Sequence, residues 1–333
     1  MRAFRSPHIP AATMGLSLVA ALTAACGSGG GADAAAGPVT VVASTNVWGN
    51  VAQAVAGDAI EVTSIITEPS ADPHSFETSP ADAAAISDAS LVVYNGGGYD
   101  SFIDDVLGSQ AGERRIVNAV DLFETEAHAG ETETGAHTGD AESADRPAPT
   151  GEASDEHGHG GSNEHVWYDM HTVDAVADAI AAQLGQLDPG NATLYQANAD
   201  AFSGRLEPII TITDTIAATH RDAPVAQTEP IAHYLLAESG LADTTPEGFL
   251  SAVENGNDPA AADIAALREL LAGKRVEALV YNVQTQDEVT QDARATAEAN
   301  GIPVVEVSET LPAGLDFIRW QTRTAESLAA ALR

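Results

Sequence analysis

The chain has one cysteine, Cys26, and one lysine, Lys274, in 333 residues. A single cysteine excludes an internal disulfide framework. Against 49 acidic residues stand 14 lysines and arginines, giving a formal net charge of −35. Nucleic acid and anionic membrane surfaces repel such a chain and are excluded as partners. The charge suits cations, and it equally suits a plain solubility adaptation. Beyond the first 26 residues no apolar run approaches the ~20 residues needed to cross a bilayer. Residues 124–165 contain no Val, Ile, Leu, Met, Phe, Trp or Tyr. With nothing to bury, most of that stretch is expected to be disordered.

The N-terminus has Arg2 and Arg5 followed by an apolar, small-residue run from Ile9 to Ala25, the pattern of a secretory signal. The run closes in Leu22-Thr23-Ala24-Ala25-Cys26, which resembles a bacterial lipobox, with Thr23 departing from the usual leucine. Residues 1–25 are therefore expected to be a signal peptide. Residues 26–38, rich in Gly, Ser and Ala, are expected to be a flexible tether carrying lipid on Cys26. The alternative is an ordinary cleaved signal and a free thiol. Either way the protein is expected outside the cytoplasmic membrane, and the first reading anchors it there.

The folded part is long enough for two domains. Strand-like runs at 39–43, 60–66 and 91–94 alternate with helical spacing at 47–56, 80–89 and 99–107, which predicts a parallel α/β sheet. After the polar insert, helical periodicity resumes at 173–187. It continues from Asp188-Pro189 to about His220, interrupted only by Pro208. A second α/β unit follows, with strands at 224–227, 278–282 and 303–307, helices at 230–239, 260–271 and 290–300, and a closing helix at 318–332. The expected organisation is an N-terminal α/β lobe over 39–169, including an insert at 124–164, then a helical segment over 170–221 with a connecting helix. A C-terminal α/β lobe over 222–333 completes it.

Histidines give the chain its chemistry. Imidazole is the commonest protein ligand for zinc and related metals. His74 lies in D-P-H-S-F-E, where prolines hold the backbone and fix the direction of the ring. His165 lies in N-E-H-V-W-Y-D, where the insert gives way to apolar chain. His128, His137, His157 and His159 sit in the insert and are candidate auxiliary metal-capture groups; the alternative is an acidic tether with incidental histidines. His171, at a helix start, reads as an exposed polar residue. In T-E-P-I-A-H, Thr228 is a candidate N-cap, and Glu229 and His233 are four apart on one predicted helix face. Either could enter a cleft at the C-terminal edge of the preceding strand. Glu229 also has a second reading, as a carboxylate favoured at a helix N-terminus.

The strings D-P-H-S-F-E-T-S-P, E-H-V-W-Y-D, T-E-P-I-A-H-Y-L-L-A-E-S-G-L and I-P-V-V-E-V-S-E-T resemble the zinc/manganese class of ABC-importer solute-binding proteins, within the helical-backbone metal receptor superfamily. The resemblance runs over roughly residues 39–333, apart from the insert. It implies an α/β fold of two lobes with parallel sheets flanked by helices. One long rigid helix joins the lobes, with a metal cleft between them. It makes His74 and His165 the first two ligands and Glu229, eleven residues before Gly240-Leu241, the third. The fourth is an aspartate after the next strand. The region Y-N-V-Q-T-Q-D departs from the pattern, with Asp287 the nearest carboxylate and Gln286 the better register match.

The implied function is the extracytoplasmic metal-binding component of an ABC importer, a monomer that captures Zn²⁺ and hands it to a membrane permease and its ATPase. Mn²⁺ is the alternative ion, and a metal-binding adhesin or buffer is an alternative role. A secreted zinc hydrolase would need an open coordination position and a general base. No H-E-x-x-H string is present. The expectation is a carrier and not an enzyme.

Overall fold

Two short runs, V-V-A-S-T and A-L-V-Y-N, are buried at every position. A strand with no solvated face needs a layer on both sides, which is the requirement of a parallel sheet covered by helices. The computed structural model describes residues 37–68, 71–109, 114–125 and 163–332. Cys26 and the four insert histidines lie outside the described residues.

The first sheet contains β1 (Val41–Thr45), β2 (Val62–Ile66), β3 (Leu91–Tyr94) and β4 (Ile116–Asn118), in the order β2-β1-β3-β4. The second contains β5 (Pro224–Gln227), β6 (Ala242–Asp243), β7 (Ala278–Asn282) and β8 (Val304–Val307), in the order β6-β5-β7-β8. Every pairing is parallel. The two orders are the same topology used twice, although the sequence shows no internal repeat. In such sheets the strand order reverses beside the central pair, β1/β3 in one lobe and β5/β7 in the other, and ligand crevices open there at the carboxyl ends of the strands.

The first lobe carries α1 (Asn46–Ala56), α2 (Pro80–Asp88) and α3 (Ser101–Gly108). Ser79 caps α2 in a reciprocal capping box with Asp82, which satisfies two backbone donors at that end. After the insert come α4 (Met170–Leu187) and α5 (Ala192–Thr219), packed along each other. The second lobe adds α6 (His233–Glu238), α7 (Glu247–Glu254), α8 (Ala261–Ala272), α9 (Glu288–Ala299) and α10 (Phe317–Ala331).

The 28-residue α5 is the expected connector, roughly 42 Å long at 1.5 Å per residue. Pro208 lies inside it. The carbonyl that a helical proline crowds belongs to the residue four earlier, here Gly204, where an added Cβ would meet nothing within 4 Å. The connector does not join the lobes alone. Helix α10 packs on both α5 and α1, and the Phe317 amide donates to Asn50 Oδ1 at 2.8 Å. Asn46 exchanges two bonds with the Leu311 backbone, donating to its carbonyl at 3.1 Å and accepting its N–H at 2.9 Å. Tyr168 donates its hydroxyl to the Ser308 carbonyl at 2.9 Å.

One apolar core runs without a break from Val41 and Trp48 through Ile180 and Phe202 to Val225, Phe317 and Trp320. The outer face of each sheet has its own smaller cluster, around Ile86 and Phe102 in one lobe and around Phe249 and Leu271 in the other. Among the described residues no helix is long and apolar enough to cross a membrane.

Two predicted elements differ in detail. The helix expected at 230–239 opens as a 3₁₀ turn, Pro230–Ala232, before α6. Thr228 does not cap it; its hydroxyl accepts the Asn282 amide at 3.1 Å, across the β5/β7 pair. The ordered chain also reaches further into the polar stretch than its composition implies, because Asn163 and Glu164 are fixed by hydrogen bonds.

Gly96, Gly97 and Gly98 follow β3 with φ of 77°, 66° and 97°. In this turn the Asn95 and Gly96 amides both donate to the Asp100 carboxylate, at 2.7 and 2.8 Å. A Cβ on Gly96 would fall 2.2 Å from Asn118 Oδ1. Gly96→Val is expected to lower stability by roughly 1–3 kcal/mol through backbone strain alone, with the clash in addition. A denaturant midpoint unchanged from wild type would refute this.

Candidate metal site

Every residue of the candidate site follows the carboxyl end of a strand or the end of the insert. His74 comes after β2. Asp72 holds it in a tight local turn, its carboxylate accepting the His74 amide at 2.9 Å and the Ser75 hydroxyl at 2.8 Å. The ring stands edge-on to Tyr99, with centroids 5.1 Å apart. His74 Nε2 lies 3.2 Å from Glu164 Oε1.

His165 is buried, 1% exposed, against Trp167 and Tyr99. Asn163 sets its tautomer. The Asn163 Nδ2 donates to the Pro230 carbonyl at 3.0 Å, so its Oδ1 faces His165 and accepts from both the His165 amide and Nδ1 at 2.9 Å. With Nδ1 carrying the proton, Nε2 keeps a lone pair for a ligand, the arrangement that second-shell partners impose on metal-binding histidines. Burial, followed by the nearby His74 and His233, pushes the His165 pKa down to about 3. Burial also lowers that of His74, against the pull of Asp72. Both rings are therefore neutral at physiological pH, the form a metal requires.

The second lobe supplies carboxylates. Glu229 stands two residues beyond β5 and Glu309 two beyond β8, and each is 7% exposed. Asn282, the last residue of β7 and fully buried, reaches both, with Nδ2 2.5 Å from Glu229 Oε2 and 2.8 Å from Glu309 Oε1. The Glu309 amide donates to Gln284 Oε1 at 2.6 Å, which fixes the backbone of that turn. Burial raises the Glu229 pKa. Burial and then the Glu229 charge push Glu309 up to about 7. Glu164, also desolvated and facing Glu254 and Glu309, is pushed up to about 8.

A cavity between the lobes is lined by Asp72 and His74 on one side and by Glu229, Glu254, Gln284 and Glu309 on the other. A second cavity adjoins it, with His74, Glu164 and Glu254 in its wall together with His233. Single ligand atoms of Glu164, His165 and Glu254 lie within 4.8 Å of one another. Among the described residues no lysine or arginine lines either cavity. Buried carboxylates stay ionised only with a cation or enough hydrogen-bond donors, and here the protein offers only neutral donors. The set of two neutral imidazoles and several carboxylates fits a divalent transition metal.

The structure places two of the four sequence-derived candidates, His74 and Glu229, on one cavity; the third, His165, lies with Glu164 and Glu254. The structure does not bring Asp287 to them. That carboxylate is exposed and caps α9, accepting the Thr290 amide at 2.7 Å in a capping box. Gln286 is exposed, and its amide donates to the Val283 carbonyl. His171 is exposed at the start of α4, and His233 is exposed at the outer cavity rather than the inner one. The residue that sequence reasoning passes over is Glu309. The usable signal was positional, since both Glu229 and Glu309 follow their strands by two residues in the second lobe.

The raised and lowered pKa values give opposite pH slopes. Histidines held neutral lose stability for the fold as pH falls below their free value of ~6.5, because only the unfolded chain then gains protons. Carboxyl groups with raised pKa values do the reverse: their contribution is complete below ~4 and is lost as pH rises through the folded pKa. Above ~6.5 only the carboxyl groups still act, so the metal-free protein is expected to lose thermal stability between pH 6.5 and 8.5. Glu164→Gln with Glu309→Gln should flatten that decline. Thermal melts at constant ionic strength that give parallel profiles for the variant and wild type would contradict the assignment.

A family model described as zinc-uptake complex component A, periplasmic (ZnuA), matches residues 41–331. A putative metal-binding protein of Treponema pallidum (strain Nichols) is 30% identical over 171 residues, covering 51% of this chain and 49% of the relative. The manganese-binding lipoprotein MntA of Halalkalibacterium halodurans is 25% identical over 195 residues, covering 58% of this chain and 55% of its own. The chain spans about half the length of the curated relatives it matches. Among solved structures, a mutant of the laminin-binding adhesin Lmb from Streptococcus agalactiae superimposes with a TM-score of 0.65 at 22% identity. That match covers 89% of this chain and all of the other. At that identity the likeness shows the fold alone.

Proposed function

The chain belongs to the family of periplasmic zinc-uptake complex component A, and on that premise we propose that it is the metal-capturing, extracytoplasmic component of an ABC importer, with Zn²⁺ as its cargo. The observation that carries this reading is the cleft itself. His74, exposed over 39% of its side chain, shares a cavity wall with two buried carboxylates, Glu229 and Glu309. The buried His165 lies with Glu164 and Glu254, and both imidazoles are neutral. Among the described residues no lysine or arginine lines the cavity. A divalent cation supplies the charge that this set lacks. The protein is a carrier in this reading: a membrane permease and its ATPase receive the ion, and the lipidated Cys26 holds the carrier at the membrane. The chain works as a monomer, and Glu254 at the mouth draws cations toward the inner site.

Manganese is the second reading. Two carboxylates are harder donors than a third imidazole, which moves preference toward Mn²⁺. A relative is also named for manganese. Zinc is favoured here by the two neutral imidazoles and by the histidines of the insert, which act as an auxiliary collector.

Isothermal titration of the metal-free chain with Zn²⁺, and with Mn²⁺ in competition, tests both readings. His74→Ala, His165→Ala, Glu229→Gln and Glu309→Gln are each expected to weaken the tight site by at least tenfold, about 1.4 kcal/mol. Asp287→Ala should leave affinity unchanged while losing ~1 kcal/mol of stability as a helix cap. Retention of tight binding by a variant carrying all four ligand substitutions would refute the site. Deleting residues 126–162 is expected to remove only additional, weaker zinc equivalents. Loss of the tight equivalent on that deletion would make the insert the receptor.

A further inference from the structure

Asn282 is a neutral side chain that touches both Glu229 and Glu309, and its amide can be oriented without ambiguity. Its Oδ1 accepts the Gln284 backbone N–H at 3.0 Å. The Nδ2 therefore faces the glutamates. An amide nitrogen carries two hydrogens. Glu229 Oε2 at 2.5 Å and Glu309 Oε1 at 2.8 Å take them, with the Thr285 hydroxyl alongside at 2.9 Å. The residue is fully buried at the end of the central strand β7, and its own backbone N–H is held by Thr228. It has no freedom to swing away when an ion arrives.

This bracket has a consequence for coordination. Each glutamate has two oxygens, and in each one of them already accepts an amide hydrogen from Asn282. The oxygens that Asn282 does not touch are one from Glu229 and one from Glu309. With one nitrogen from each of His74 and His165, the donors of the proposed site number four. Four nitrogen and oxygen donors make the tetrahedral shell that zinc adopts, whereas manganese and other hard cations favour six oxygen-rich positions, which bidentate carboxylates help to fill.

We propose that Asn282 is a specificity-determining positioning residue: by occupying one oxygen of Glu229 and one of Glu309, it makes both carboxylates monodentate and selects a four-coordinate, zinc-class cation over a six-coordinate one. This rests on the reading of the cleft as a metal site and adds to it the selection rule.

The test uses the full chain, loaded with Co²⁺ for its visible spectrum and titrated with Zn²⁺ and Mn²⁺ in competition. Wild type is expected to give the intense bands of four-coordinate cobalt. Asn282→Ala is expected to give the weaker bands of five- or six-coordinate cobalt, and its zinc-over-manganese preference is expected to fall by about 10–100-fold, the scale of second-shell changes at metal sites. Asn282→Asp keeps the side-chain length and the acceptor for the Gln284 N–H but loses both donors. It is expected to behave in the same way, and it carries the test if the alanine variant does not fold, as circular dichroism will show. Three results overturn the proposal: a wild-type cobalt spectrum that is not four-coordinate, a folded variant that keeps both the spectrum and the preference, or equal losses of zinc and manganese affinity with an unchanged spectrum. A folded wild-type chain that binds neither cobalt nor zinc removes the metal site itself, and the proposal with it. That failure is distinct, because it shows in wild type before any variant is compared.

Discussion

The structure turns on a charge imbalance. Glu229 and Glu309 are held almost out of water at the carboxyl ends of β5 and β8, with Glu164 and Glu254 close by, and among the described residues no lysine or arginine lines the cavity wall. Burying a carboxylate without a counter-charge is expensive, and the groups respond by holding protons well above their usual range. A fold keeps such a cluster only where rigid surroundings hold it. Here a continuous core, a long helix pair and a C-terminal helix that returns to the first lobe supply that rigidity.

The side chains that arrange the site are mostly neutral. Asn163 orients His165, Asn282 brackets the glutamates, and Asn95 holds the Glu164 carbonyl while accepting the Trp48 indole N–H. Asparagine fills this role because one side can accept while the other donates, and neither adds charge. Lysine or arginine in these places would satisfy the carboxylates and remove their need for a cation. The asparagines keep the ligands aimed while leaving the electrostatic demand in place.

The two sheets share one strand order, and the candidate ligands use it unequally. The first lobe offers imidazoles from a turn after β2 and from the end of the insert. The second lobe offers carboxylates from the turns after β5 and β8. His74, Glu229 and Glu309 line one cavity, so the candidate site draws on both lobes. The Tyr168 contact to Ser308 ties the residue next to Glu309 directly to the turn that follows His165.

Strands β3, β5 and β7 were legible residue for residue, since short apolar runs between turn formers have few alternatives. Local chemistry also marked His74, between prolines, and His165, where the polar stretch gives way to apolar chain. The T-E-P-I-A-H string marked Glu229 and His233 equally, and burial distinguishes them. Glu309, the capping role of Asp287 and the bracket formed by Asn282 were not legible. Each depends on which strand ends converge, and sequence spacing carries no information about that. Asp287 looked like a ligand because it was the nearest carboxylate along the chain, yet the chain turns there and the carboxylate closes a helix instead. By itself the sequence determined two parallel α/β lobes and the connecting helix, and it marked His74, His165 and Glu229 as candidates, because periodicity, turn chemistry and capping act over a few residues. The tertiary structure alone decided how the carboxylates share one amide and one cavity with His74, because that arrangement exists only when loops far apart in sequence are held together by the common core.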